Sequence, residues 1–560
     1  MLRSLLSALG LAIATLSPVG AQQVPTTGFQ ADLDSLVARV IRIHPRPWAH
    51  TSREGFLRQA EALRATATAD TDDRVLAGIM RLTASLEDGH TSITDLGPAG
   101  GKWYPVRFYL FSDGLWITAV TPEHQELAGA RVLRLGSTAA DSAVARVLPL
   151  FSADNEWGRR EGAALLANAV LERALDIVSQ EDSLLLETTK GRATLRAIAT
   201  GNGDVSWWQY GEISGPPGTH LVTAFGGRDA DGYRDPARNA DLPLHLRGRR
   251  AYWWTYLPRD STVYFAFNNV VAKSRFSQFT LMEELGQALG RVDSAPGASQ
   301  RFILDLRYNS GGDGSLTPAI VNEFVKRDRS IGRRGRFFVI TGGKTFSAAA
   351  GTVIDLLRHT SPILVGEPIG AAFNACGDAG HSLLPAHQIG LAVSTNCTLV
   401  TALDDVRVIP VQVPASTSGE DYFAGRDPPV DAILSAPAPY PEVISTLRQR
   451  GAAAARALYA EQERRFGSIA WWQPFSWEEL NGAAYDLLDQ KRVDDAVAGF
   501  EISARRFPKR WDAWDSAGDG YRAAGRDADA VAAYRRALDL APDNWNASHQ
   551  KQAIKELTGR

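Results

Sequence analysis

The chain has 560 residues, of which 44% are hydrophobic and 22% charged, with a formal net charge of −3. That length exceeds one compact core and predicts about three to four folding units. The composition excludes bulk disorder, and the near-zero charge offers no general field for nucleic acid or an anionic membrane surface.

Arg3 precedes an apolar stretch from Leu5 to Leu16, followed by Pro18 and the small residues Val19-Gly20-Ala21. The pattern predicts a signal peptide over 1–21 and an exported chain, periplasmic or secreted, with no stable membrane span. Residues 22–100 read as an N-terminal helical segment. Phe29, Leu33, Leu36, Val37, Val40 and Ile41 recur at helical spacing until Pro45 and Pro47 end the pattern. Thr51 with Glu54 reads as a capping box for a second helix, and Val75, Ile79, Leu82 and Leu86 form the stripe of a third. Gly89 then separates His90 from that helix, which puts His90 at its end or in the following loop.

Residues 101–200 read as a small β-rich module, with strands between Trp103 and Ile117 and between Gly129 and Leu135, and a short helix from Ala140 to Leu148. In 201–440 apolar runs at Val263–Phe267, Phe302–Leu306, Phe337–Ile340 and Ile363–Val365 alternate with helical patterns, which predicts an α/β layer architecture. Residues 441–475 read as a helical linker. Over 476–560, Leu487 and Tyr521, Ala496 and Ala530, Phe500 and Tyr534, and Pro508 and Pro542 recur with the period of 34 of tetratricopeptide repeats. Two repeats are few for a free-standing array, so they are expected to pack on flanking helices including 441–466. They serve either as a groove for a protein partner or as a stabilising cap.

Two strand-turn-helix elements carry the chemistry. Asn309-Ser310-Gly311-Gly312-Asp313-Gly314 follows the run ending at Arg307, and glycines in such a loop free backbone amides to face a developing negative charge. Gly342-Gly343-Lys344-Thr345-Phe346-Ser347 follows Phe337–Thr341 and opens a helix from Ala348 to Arg358. A serine there is either a helix N-cap or a nucleophile on a sharp turn, with the Ala348 amide and the helix dipole facing an oxyanion. Lys344 reads as solvent-exposed on the turn. Cys376 and Cys397, the only two cysteines, form a disulfide in an oxidising compartment or else remain two buried thiols. The chain has no His-Glu-x-x-His and no dense ligand cluster, so neither a metal nor another cofactor is expected.

The ordered motifs Leu304-Asp305-Leu306-Arg307-Tyr308-Asn309-Ser310-Gly311-Gly312, Thr345-Phe346-Ser347-Ala348-Ala349 and Leu364-Val365-Gly366-Glu367 resemble the tail-specific, or C-terminal-processing, serine peptidases. The tricorn core and interphotoreceptor retinoid-binding protein share this resemblance, which covers roughly residues 30–440. It implies a crotonase-like (ClpP/crotonase) α/β core, a PDZ-like module over 101–200, and peptide or protein substrates. It also implies a nucleophilic Ser347 and an oxyanion hole from Gly311, Gly312 and Ala348. Processing peptidases use a lysine base downstream, but Glu367 to Gly380 contains none. The tricorn-like branch uses a histidine, which Glu87-Asp88-Gly89-His90-Thr91 resembles, so His90 becomes the base. An acid beyond the serine would orient it; Asp404 is preferred and Asp405 is its neighbour, and the pair also reads as solvated surface. The rival reading is an inactive binding protein of the same fold, a peptide or hydrophobic ligand carrier.

Overall fold

A continuous run of apolar residues makes a strand that is buried on both faces, and four such runs stand side by side in one six-stranded sheet. The computed structural model describes residues 28–559 except 68–70, 179–181, 201–202, 206–219, 226–241, 249, 275–276, 295–300, 328–330, 332–334, 403–405, 436–441 and 470. The expected signal peptide, 1–21, and the pair Asp404 and Asp405 lie outside the described residues. The central sheet runs in chain order through Tyr252–Leu257, Thr262–Phe267, Arg301–Asp305, Phe337–Thr341, Ile363–Gly366 and Val413–Pro414. Its first pair is antiparallel and the rest are parallel.

Register fixes which side each residue serves. Phe265, Leu304, Val339 and Leu364 stand in one row across four strands, and Tyr264, Ile303, Phe338 and Ile363 in the next. The first row packs under the helices Leu281–Asp293, Thr317–Val325 and Ser347–His359. The second packs on the opposite side against Ile433, Leu447, Tyr459, Trp471 and Trp472. The chain is therefore a mixed α/β structure with the sheet as its middle layer.

The C-terminal helices continue this second core. Trp477–Asp489, Val493–Arg506, Trp511–Ala523 and Asp527–Leu540 form two antiparallel pairs, closed by Ala547–Thr558. Small residues set their spacing: a Cβ at Gly518 would come 2.5 Å from the Tyr534 ring, and one at Gly520 would come 2.6 Å from Phe500. Leu447 and Tyr459, on the helices Glu442–Arg450 and Ala452–Phe466, join Ala484 and Phe500 in the same apolar cluster as the sheet.

The N-terminal helices Gly28–Ile43, Arg53–Thr66 and Asp72–Ala84 pack with the small sheets of 102–223 in a separate apolar cluster. The cap of Arg53–Thr66 is Ser52, whose hydroxyl accepts from the Gly55 amide at 3.0 Å, rather than the expected Thr51 with Glu54. After the third helix, the short strand Ser92–Asp95 pairs antiparallel with Gly390–Val393. That pairing carries the N-terminal segment to the carboxyl ends of the central strands. Among the described residues no helix is long and apolar enough to cross a membrane.

Candidate active site

Ser347 follows the strand Phe337–Thr341 and starts the helix Ser347–His359, with Phe346 in the N-cap position. Its backbone is left-handed, φ 51°, a conformation unfavourable for a serine and held only by its surroundings. Those surroundings are hydrogen bonds to the neighbouring strand end. Thr345 Oγ1 donates to the Leu306 carbonyl at 2.9 Å, and the Phe346 amide donates to the Asn309 carbonyl at 3.1 Å. Asn309, fully buried, donates through Nδ2 to the Phe267 carbonyl at 2.9 Å. The turn thus projects Ser347 as a nucleophile elbow would, and its side chain does not cap the helix.

A buried ionic group anchors the strand end beneath. Arg307 is bonded to Asp305 and, through Nη1 at 2.7 Å, to Asp427, which also meets His245 Nδ1 at 3.0 Å. Burial alone would lower the Arg307 pKa, but the two carboxylates carry it well above the usual value. Losing either partner would strand a charge in the interior, so the group holds the 305–312 segment in one arrangement.

His90 reaches this turn from the N-terminal segment, with Nε2 2.9 Å from Ser347 Oγ. It lies in a loop whose backbone is shaped by Asp88 and Asp154. Glu87 is left-handed at φ 56°, and Asp88 Oδ1 accepts the His90 amide at 3.0 Å. Asp88 Oδ2 accepts from His44 at 2.8 Å, Thr91 at 2.7 Å and Ser394 at 2.6 Å. Burial of Asp88 would raise its pKa, yet these donors pull it below the ordinary value, so it stays ionised. Asp154 Oδ1 accepts the Gly89 amide at 2.7 Å, while Oδ2 accepts the Ala372 amide at 3.2 Å. Arg407 ties the Glu87 carboxylate to the Asp154 carbonyl. Burial, then the Asp88 charge, push the Asp154 carboxyl up to about 7.

The imidazole stacks on Phe346, ring centroids 4.5 Å apart. A Cβ at Gly89 would fall 2.6 Å from that phenyl ring, so only glycine allows the approach. Desolvation lowers the His90 pKa, opposed by the Asp88 charge, the Cys376 backbone and the Asp378 charge. The balance keeps the ring neutral near pH 7, as an acceptor must be. Its Nδ1 is buried and makes no hydrogen bond of good geometry.

Of the expected oxyanion donors, Gly312 and Ala348 leave their amides without a backbone hydrogen-bond acceptor among the described residues. Gly311 differs: its amide donates to Asn309 Oδ1 at 2.9 Å, which removes it from the donor set. Its role is spatial, with φ 114° and no room for a Cβ against Ser347. Lys344, expected on the surface, is only 2% exposed, because the turn folds back under the segment containing Trp157 rather than out to solvent. Cys376 and Cys397 stand opposite each other in adjacent antiparallel strands and are joined as a disulfide beside His90.

Ser347 and His90 open onto a cavity of about 410 Å³ whose walls include Met80, Ile93, Leu150, Phe151 and Leu165 and which also contains Glu161 and Lys344. Asp154 and Glu161 belong to no sequence motif. Their partners lie 65 and 52 residues away in the chain, so no local pattern marks either residue.

No family model and no curated protein matches the chain. Among solved structures it is similar to mature CPAF complexed with lactacystin, with 10% identity, 71% of this chain and 95% of that chain covered, and a TM-score of 0.49. It is also similar to the photosystem II D1 C-terminal processing protease, with 12% identity, 70% and 94% coverage, and a TM-score of 0.32. The tricorn protease gives 12% identity, 73% and 36% coverage, and a TM-score of 0.32. Likenesses this distant leave the chemistry to be read from the site itself.

Proposed function

We propose that the protein is an exported serine peptidase that hydrolyses peptide bonds through an acyl-enzyme on Ser347. The observation that carries this reading is the 2.9 Å separation of Ser347 Oγ and His90 Nε2 at a helix N-terminus. His90 takes the hydroxyl proton as Oγ attacks the scissile carbonyl, and the amides of Ala348 and Gly312 bind the oxyanion. The imidazolium then returns its proton to the departing amine. A water, deprotonated by the same ring, releases the acyl group and restores the hydroxyl.

Asp404 remains the proposed third member. The described residues Thr401 and Val406 are hydrogen-bonded to Asn374 and Phe373, next to the strand whose Cys376 backbone faces His90. A binding protein of the same fold would have no use for a strained serine held against a neutral histidine. In the same proposal the core is crotonase-like with a PDZ-like module at 101–200, and the C-terminal helix pairs are tetratricopeptide-like. A fluorophosphonate probe followed by peptide mapping tests the assignment: Ser347 should carry the label, and Ser347→Ala should neither label nor hydrolyse peptides. Wild-type cleavage by Ser347→Ala would remove Ser347 from the mechanism.

A further inference from the structure

The cavity beside Ser347 contains one feature that the proposed chemistry does not use. Glu161 is 8% exposed and lines the cavity, yet among the described residues its Oε2 has no hydrogen-bond donor. Its Oε1 receives only a long contact from the Tyr109 hydroxyl at 3.5 Å. The cations nearby do not satisfy it. Arg160 turns away, donating to the Leu110 carbonyl at 3.2 Å and lying 5.5 Å over the Trp157 ring. Lys344, on the same cavity wall, has a partner of its own and makes no ion pair with Glu161. A carboxylate taken out of water without a partner is costly, and such a group is retained where a ligand completes it.

We infer that this cavity receives a lysine or arginine side chain of the substrate, with Glu161 as the carboxylate that meets its charge. The inference rests on the peptidase reading and names its substrate class. Met80, Ile93, Leu150, Phe151 and Leu165 supply apolar walls for the methylene stem, and Glu161 supplies the counter-charge for the head, matching the two-part character of a basic side chain. Asp378, also on the wall, adds to the negative field, whereas Lys344 opposes it and disfavours an unpaired second cation elsewhere in the cavity.

The test is a matched set of N-acetylated peptides differing only at the residue on the acyl side of the scissile bond, lysine, arginine, leucine or glutamate, repeated with free amino termini. The lysine-to-leucine ratio of kcat/KM should favour lysine and should fall about 100-fold in Glu161→Gln. A ratio cancels any difference in folded fraction. No preference for lysine, or a preference that Glu161→Gln leaves intact, overturns the inference while the peptidase reading stands. A preference that follows the free amino terminus and vanishes on acetylation also overturns it, since the cation would then be the α-ammonium.

Butylguanidine titrated into Ser347→Ala and into Ser347→Ala with Glu161→Gln needs no catalysis. Binding lost with Glu161 supports the pocket even if no peptide is cleaved, which would sink the peptidase reading alone. Absence of binding to Ser347→Ala overturns the pocket.

Discussion

Gly311 and Ser347 approach so closely that a methyl group on the first would fall 2.6 Å from the Cβ of the second and 3.1 Å from the Ala348 amide nitrogen. Gly311→Ala must therefore displace the serine, and its φ of 114° is closed to alanine as well. The substitution should cost about 1–3 kcal/mol of stability and lower kcat by about 100-fold or more. Thermal melting and peptide turnover check the two effects separately. A variant that turns over normally would show that the glycine loop does not border the reacting atoms.

The base gives a pH signature. Because desolvation holds His90 below its ordinary 6.5, the ring should stay neutral, and the rate near its plateau, until the pH falls below that value. Protonation then removes the acceptor and the rate drops. His90→Ala should lose several orders of magnitude in kcat. A kcat/KM profile that begins to fall well above pH 6.5 would point to a different base.

Asp154 makes the opposite kind of prediction, one about stability. Its carboxyl rises from 3.8 to about 7 on folding, so between those values the folded chain holds a proton that the unfolded chain has released. Its contribution to stability is therefore fullest at acid pH and is lost as pH rises toward 7. Denaturant titrations of wild type and Asp154→Asn across pH 4–8 should show the variant gaining relative stability with pH, by a few kcal/mol in total. A pH-independent difference would mean that Asp154 is ionised throughout.

The disulfide is a separate support. Cys376 and Cys397 close a loop across a separation of 21 residues, and replacing both with serine should cost about 3 kcal/mol. The unfolded, unreduced protein should show no free thiol on titration.

Much of this was legible in the chain. Continuous apolar runs marked the central strands because both faces are covered, the row Leu304, Val339 and Leu364 by one helical layer and the row Ile303, Phe338 and Ile363 by the other. The Ser347 turn and the His90 loop could be named from ordered motifs that resemble a peptidase family, and the glycines at 89, 311 and 312 within them answer to close approaches in the fold. What could not be read were contacts with no local signal. Lys344 has the sequence neighbours of a surface turn, yet it is buried, with Gly343 beside it pressed against the Trp157 carbonyl. Gly311 has the spacing of an oxyanion donor, but its amide is claimed by Asn309 only two residues earlier. Asp154 acts on residues 65 positions before it and 218 after it, distances at which a sequence pattern carries nothing.

The strand Ser92–Asp95, which follows His90 directly, has its sheet partner in Gly390–Val393, beyond the nucleophile in chain order. During synthesis the histidine therefore emerges first, the serine 257 residues later, and the segment that docks the histidine segment onto the core last of the three. A nascent chain stopped before residue 390 carries both reactive groups but lacks the strand that pairs with Ser92–Asp95. The strand next to His90 therefore gains its sheet partner only after the chain has passed residue 390, later than either member of the His90–Ser347 pair.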